Sequence, residues 1–284
     1  MSERVIRADG IELATQAFGD PAHPPILLIM GVMASMLWWP EAFCARLARH
    51  GRYILRYDNR DTGLSTGYPA GAPPYSFNEM ADDAMRVLDG YGIASAHLVG
   101  MSMGGMLAQY AALKHPARTA SLTLISSSPV GDDVPDLPGP TAAYLEHAAQ
   151  FDRVDWSDRA QAIRAMLAES RVLAGTAHPF DEAGARRLIE RDIDRARHFA
   201  SVTNHFVLKS EDGPRHRASA LAAPLLVIHG TADPLLRFEH GLALARIVPD
   251  ATMVRLEGGG HELHEADWDA IVAAIIDHTG RHPV

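Results

Sequence analysis

Short unbroken apolar runs, each closed by turn residues, constrain this chain more than any other feature. Residues 26–30 (Ile-Leu-Leu-Ile-Met) end at Gly31, and residues 53–57 end at Asp58. Residues 97–99, 122–125, 225–228 and 252–256 repeat the theme. All are too short for helices and read as strands; the continuous run at 26–30, and the similar one at 53–57, read as strands buried on both faces. Helical periodicity fills the gaps between them. Residues 41–50 place Phe43, Leu47 and Ala48 on one face, and residues 77–91 align Met80, Ala84, Val87, Leu88 and Tyr91. Residues 102–115 and 238–247 and a last helix ending near His278 complete the alternation. Strand–helix alternation of this kind builds a mostly parallel sheet flanked by helices. Asp9-Gly10 is a hairpin signal, so the chain should begin with two antiparallel strands.

The pattern breaks between residues 131 and 220, which read as helical, polar and Arg-rich with no buried strand. The expected organisation is one α/β core made of residues 1–130 and 221–284, interrupted by a helical insertion over residues 131–220. The 284 residues, 47% of them hydrophobic, suffice for such a core.

Composition excludes several functions. The net charge is −9 and no basic run is present, which argues against a nucleic-acid partner and for a small-molecule one. The single cysteine, Cys44, can form neither an internal disulfide nor a thiolate zinc site. His261-Glu262-Leu263-His264 is one residue short of the metalloprotease spacing. The glycines at 100, 104 and 105 form no dinucleotide fingerprint and no Walker lysine follows them, so neither cofactor nor metal is expected. Residues 24–40 are uncharged, but Gly31, Ser35 and the flanking prolines suit a buried strand and an apolar loop, not a membrane span. The charged, alternating N-terminus lacks an apolar targeting region, and a cytoplasmic location is expected. Oligomeric state is left open.

Gly100-Met101-Ser102-Met103-Gly104 lies between a buried strand and a helix. In that context G-x-S-x-G is a nucleophile elbow: the serine occupies a sharp turn that lifts its hydroxyl above the sheet. The two glycines leave room for strand and helix to approach. A serine hydroxyl needs a base, and the base needs an orienting acid. Both follow in order at strand ends. Residues 225–228 lead into His229-Gly230-Thr231-Ala232-Asp233, and residues 252–256 lead into three glycines and His261. Catalytic groups of open α/β sheets gather at these carboxyl ends. The expected triad is therefore Ser102, Asp233 and His261. His264 is the competing base, but the reading puts it inside a helix that His261 opens; Asp250 reads as a turn residue and His229 as a packing one. Two N–H donors should hold the oxyanion, those of Met103 and of Val32 in the loop after residue 30.

With these residues in hand, the chain resembles serine hydrolases of the α/β-hydrolase superfamily, and more narrowly the aclacinomycin methylesterase group. The matching stretches are Met1-Ser2-Glu3-Arg4, Phe18-Gly19-Asp20-Pro21, residues 27–31, residues 56–65 and residues 100–104. The resemblance covers nearly the whole chain and is weakest across the insertion. It implies the α/β-hydrolase fold, a helical cap over the active site, the same triad and donors, and ester hydrolysis. Many superfamily members have His-Gly where this chain has Met30-Gly31, which changes the packing beneath the oxyanion donors but removes neither N–H. The run Asp58-x-Arg60-x-x-Gly63-x-Ser65 reads as a structural turn with locally paired charges.

Met33, Met36, Leu37, Trp38 and Trp39 follow the oxyanion loop, and Met101, Met103 and Met106 surround the serine. Together they suggest an apolar, adaptable pocket wall. Met33, Trp38, Met101 and Phe206 are the expected substrate contacts, with Phe199 and Leu208 as further cap candidates. The expected partner is a small, largely apolar ester, cleaved through an acyl-enzyme. The same triad could instead act on a lactone, an amide or a carbon–carbon bond, or the fold could serve as a binding module without turnover.

Overall fold

The computed structural model describes residues 3–131, 134, 136–208 and 217–284. Met1 and Ser2, part of the resemblance above, lie outside the described residues. The chain opens with β1 (Arg4–Ala8) and β2 (Ile11–Phe18), paired antiparallel around Asp9 and Gly10, which both have positive φ. The remaining strands are β3 (Pro25–Ile29), β4 (Tyr53–Tyr57), β5 (Ala96–Met101), β6 (Thr119–Ile125), β7 (Leu225–Gly230) and β8 (Thr252–Leu256). They form one eight-stranded sheet in the order β1-β2-β4-β3-β5-β6-β7-β8, with every pair from β4 to β8 parallel.

The strands β3 to β7 are buried on both faces, which is why their apolar runs are unbroken. One face packs beneath α2 (Phe77–Gly90), α3 (Met103–Lys114) and α7 (Phe238–Ile247), with Leu27, Ile29, Leu98, Leu122 and Val227 in its core. The other packs beneath α1 (Glu41–Arg49) and α8 (Trp268–Arg281), with Ile26, Leu28, Val99, Leu226 and Ile228. Helix α2 starts at a full capping box, Ser76 with Glu79.

Between β6 and β7 lie α4 (Ala142–Ala148), α5 (Arg159–Leu173) and α6 (Glu182–Arg195), then a 3-10 helix, Phe199–Phe206. Ile163, Met166, Ile189, Ile193 and Val202 give these helices a small core of their own, closed by Met33 from the sheet side. Residues 24–40 fold as β3 and a loop with one 3-10 turn, Met36–Trp38. Among the described residues no helix is long and apolar enough to cross a membrane.

One expectation is corrected here. The charges of residues 58–65 do not pair locally. Asp58 meets Arg195 of α6 at 2.8 Å, Arg60 meets Asp83 of α2 at 2.7 Å, and Asp61 accepts from Tyr75 at 2.6 Å and Asn204 at 3.0 Å. These carboxylates are buried; local backbone N–H groups reach two of them, Leu64 to Asp58 at 2.9 Å and Tyr68 to Asp61 at 2.6 Å, but the charged partners come from distant segments.

Candidate active site

The chain runs from β3 to β4 on one side and from β5 through β8 on the other, so the strand order reverses between β3 and β5. Open α/β sheets have their crevice at such a reversal, outside the carboxyl ends of the strands. Gly31 follows β3 and Ser102 follows β5, and they meet there. A Cβ on Gly31 would lie 3.1 Å from the Ser102 Cβ and 3.7 Å from its Oγ.

Ser102 has φ 53° and ψ −123°, a conformation that L residues rarely adopt. Its N–H donates to the Ile125 carbonyl at 2.9 Å, and its own carbonyl accepts from Ser127 Oγ at 2.9 Å. The turn works only because Gly100 and Gly104 lack side chains: a Cβ at Gly104 would lie 2.1 Å from the Ile29 carbonyl oxygen. Among the described residues, the N–H groups of Val32 and Met103 have no hydrogen-bond partner. Met103 opens α3, where the helix end favours negative charge.

Asp233 and His261 sit beyond β7 and β8. Asp233 is buried; its Oδ1 accepts from the Leu235 and Leu236 N–H groups, each at 2.9 Å. Its Oδ2 lies 2.7 Å from His261 Nδ1. A carboxylate only accepts, so Nδ1 carries the proton and Nε2 keeps a lone pair. The His261 loop is held by backbone bonds: Ala232 N–H donates to Gly259 at 2.9 Å, and His261 N–H donates to Leu173, the last residue of α5, at 2.8 Å. His229 is buried beside Asp233: its Nε2 donates to the Leu236 carbonyl at 2.7 Å and lies 3.5 Å from Asp233 Oδ2. His264 is not helical, contrary to expectation. Its side chain caps a 3-10 turn, Glu265–Asp267, and α8 starts only at Trp268.

Ser102 and His261 line one cavity of about 240 Å³ beneath the helices that follow β6. Val32, Met33, Trp38, Met101 and Phe206 line it too, together with Met30, Met166 and Leu235. Met36 and Trp39 instead lie in the core, and Phe199 packs within the insertion. Leu208 packs against the sheet core. Phe206 is 56% exposed, at the rim.

Two features were not read from the sequence. His205 is buried beside the oxyanion loop: its Nδ1 accepts the Met33 N–H at 3.1 Å and its Nε2 donates to the Arg60 carbonyl at 2.8 Å. Burial holds its imidazole below the usual basicity. The second is a polar cluster: Tyr144 and Glu169 on the cavity wall, with His147 2.7 Å from Glu169. Burial pushes the Glu169 carboxyl above the usual carboxylate range, against the pull of Tyr144 and His147. Burial, with Glu169 adding to it, also raises the Tyr144 phenol, which therefore stays protonated and donates. Both lie in a segment whose hydrophobic pattern locates helices but not what they face.

Among the described residues, His178, His264 and Asp267 are the one group whose donor atoms, all within 4.8 Å, could share a cation. The chemistry does not fit well. His264 Nδ1 already accepts the Ala266 N–H at 3.2 Å, which leaves the proton of the neutral ring on Nε2. The two rings also stack at 15°, so their in-plane lone pairs run side by side and do not converge.

Comparison with known proteins agrees with this architecture. Residues 24–267 match the model of the α/β hydrolase fold family. The chain is 32% identical to rhodomycin D methylesterase DauP of Streptomyces sp. (strain C5) over 98% of both chains. It is equally close, at 32% and 98%, to DnrP of Streptomyces peucetius, which carries the same name. Among solved structures, an esterase from Rhodococcus superposes with a TM-score of 0.76 at 21% identity over 100% of both chains. The enol-lactonase of Burkholderia xenovorans LB400 superposes at 0.75, with 23% identity over 98% of this chain and 100% of that one. A sheet reversed between β3 and β5, a serine elbow after β5 and a family match over most of the sequence lead to one conclusion: this chain belongs to the α/β-hydrolase fold family.

Proposed function

We propose that this protein is a serine esterase that cleaves a carboxylic ester through an acyl-enzyme. The observation that carries the reading is the 2.7 Å contact from Asp233 to His261 Nδ1, in a cavity that also holds the strained Ser102. The methylesterase relatives, matched over 98% of the chain, support the ester as the bond cleaved.

On this reading Ser102 Oγ attacks the ester carbonyl carbon while His261 Nε2 takes its proton. Asp233 fixes the imidazole tautomer and stabilises the imidazolium. The N–H groups of Val32 and Met103 receive the oxyanion. The carbon–oxygen bond to the alcohol then breaks, and His261 returns the proton to the leaving oxygen. Water, deprotonated by the same imidazole, attacks the acyl carbon and releases Ser102 with the carboxylic acid. Residues 131–220 act as a cap on a core of residues 1–130 and 221–284. Met33, Trp38, Met101 and Phe206 form the substrate wall.

Replacement of Ser102 tests the assignment. The Ser102→Ala protein should lose ester turnover by a factor on the order of 10⁴ or more. A fluorophosphonate should label the native protein at Ser102 and fail on the variant. Turnover that survives the substitution would sink the triad, and a folded native protein that resists labelling would favour a binding module.

A further inference from the structure

We propose that Glu169, together with Tyr144 and His147, forms a polar subsite that selects esters carrying a hydrogen-bond donor, a hydroxyl or an amine, on the substrate body. The inference rests on the esterase reading above and adds the chemistry of the substrate to it.

Much of the cavity wall is apolar, with Met33, Trp38, Met166 and Leu188 among its residues; a second carboxylate on it, Glu262, already accepts the Gly175 N–H at 2.7 Å. The Glu169 side chain is 15% exposed and lines the same cavity as Ser102 and His261. An ionised carboxylate offers about four acceptor directions. One is used, by the Tyr144 hydroxyl at 3.0 Å on Oε1. Oε2 lies 2.7 Å from His147 Nε2, but the approach is out of line, and both atoms are buried without a hydrogen bond. Among the described residues no Lys or Arg pairs with Glu169, although this helical segment is rich in arginine. Oε2 is shielded beside His147, whereas Oε1 takes a single protein donor and keeps a second acceptor direction for a group arriving in the cavity.

Glu169 also ties α4 to α5 through Tyr144 and His147, as Arg159 and Asp194 tie α5 to α6. A purely structural link needs no place on the cavity wall, which Glu169 and Tyr144 both have. Tyr144 pins Oε1, and His147 is wedged edge-on against Phe151 with ring centroids 5.4 Å apart. Tyr144, Phe151 and Phe206 line this cavity and also an adjoining outer cleft with Trp156 and Thr203. The subsite therefore adjoins the route by which a larger substrate extends outward. A site built to bond a substrate OH or NH discriminates strongly against the analogue that lacks it.

The test compares methyl esters of ω-hydroxy acids, of ω-amino acids and of plain alkanoic acids over a graded series of chain lengths. Wild-type kcat/KM should favour a donor-bearing ester over its plain counterpart by about tenfold or more at the best length. Glu169→Leu should bring that ratio to about one. Glu169→Gln, which keeps the shape and one acceptor, should retain part of a hydroxyl preference and lose an amine preference, and so separates the two donors. A ratio that Glu169→Leu leaves unchanged overturns the proposal, as does a wild-type ratio near one at every length. Calorimetry of the same esters with Ser102→Ala reads recognition without turnover. Absence of hydrolysis with selective binding would fail the esterase reading alone, whereas equal affinity for plain and donor-bearing esters would fail this one.

Discussion

Gly104 marks how little slack the serine turn has. The group that an added Cβ would strike is the backbone of Ile29, with the carbonyl oxygen at 2.1 Å and its carbon at 2.6 Å. Backbone at the centre of a buried sheet cannot swing aside as a side chain can. Gly104→Ala should therefore destabilise the fold by more than about 2 kcal/mol, seen as a lower urea midpoint. A midpoint within error of wild type would mean that α3 can slide away from β3. The same crowding explains Gly31, whose missing side chain lets the loop after β3 lie against Ser102. Met30 in turn fills the place that histidine takes in many superfamily members. Its carbonyl accepts from Asn59 Nδ2 at 2.9 Å, and its side chain belongs to the apolar core.

At the scale of elements, the helical segment after β6 reaches into both halves of the site. Its 3-10 helix, Phe199–Phe206, carries His205 against the oxyanion loop, where Met33 is held at φ 62°. The middle of the segment, between α5 and α6, receives the His261 loop, through Leu173 at 2.8 Å and through Thr176 N–H to Gly258 at 2.7 Å. On the reading proposed above, His205 would hold the Val32 N–H in position through its bond to the next residue, Met33. His205→Ala should lower kcat by about ten- to hundredfold with a smaller change in KM, because a displaced oxyanion donor is felt mainly in the transition state. Steady-state kinetics on a simple ester checks this. A rise in KM alone would assign His205 to substrate binding instead.

Across the whole molecule, buried polar pairs fasten the insertion to the sheet. Trp38 Nε1 donates to Asp192 of α6 at 2.7 Å. Burial, with the Asp58 charge adding to it, pushes the Asp192 carboxyl up to about 6 despite bonds from Ser35 and Trp38. In the unfolded chain the same group has its ordinary value of 3.8. Between these two values the folded protein holds a proton that the unfolded chain has released. Stability therefore falls as pH rises through that window, and the cost is fully present above it. Asp192→Asn cannot ionise and still offers Trp38 an acceptor. It should gain on the order of 1–3 kcal/mol over wild type near pH 8 and nothing below about pH 4. Urea unfolding at both pH values measures the difference, and an equal offset at the two would discard the ionisation account.

The sequence by itself determined the strands and placed Ser102, Asp233 and His261 beyond the ends of three of them. The unbroken run of β3 specifies burial on both faces, whereas β8, with Thr252 and Arg255, is only partly buried at the sheet edge; strands Tyr53–Tyr57 and Thr252–Leu256 and helix Phe238–Ile247 begin and end where the sequence places them. Ser102, Asp233 and His261 were legible because each follows such a run, in a turn whose glycines make close approach possible. Tertiary structure alone decided which charges meet. Asp58 and Arg195 are 137 positions apart, and Met33 and His205 are 172 apart. Hydrophobic periodicity records which side of an element is buried; it carries no record of what the buried side meets. Hydrogen bonds and ion pairs act over a few ångströms, so their partners exist only once packing has brought distant segments together.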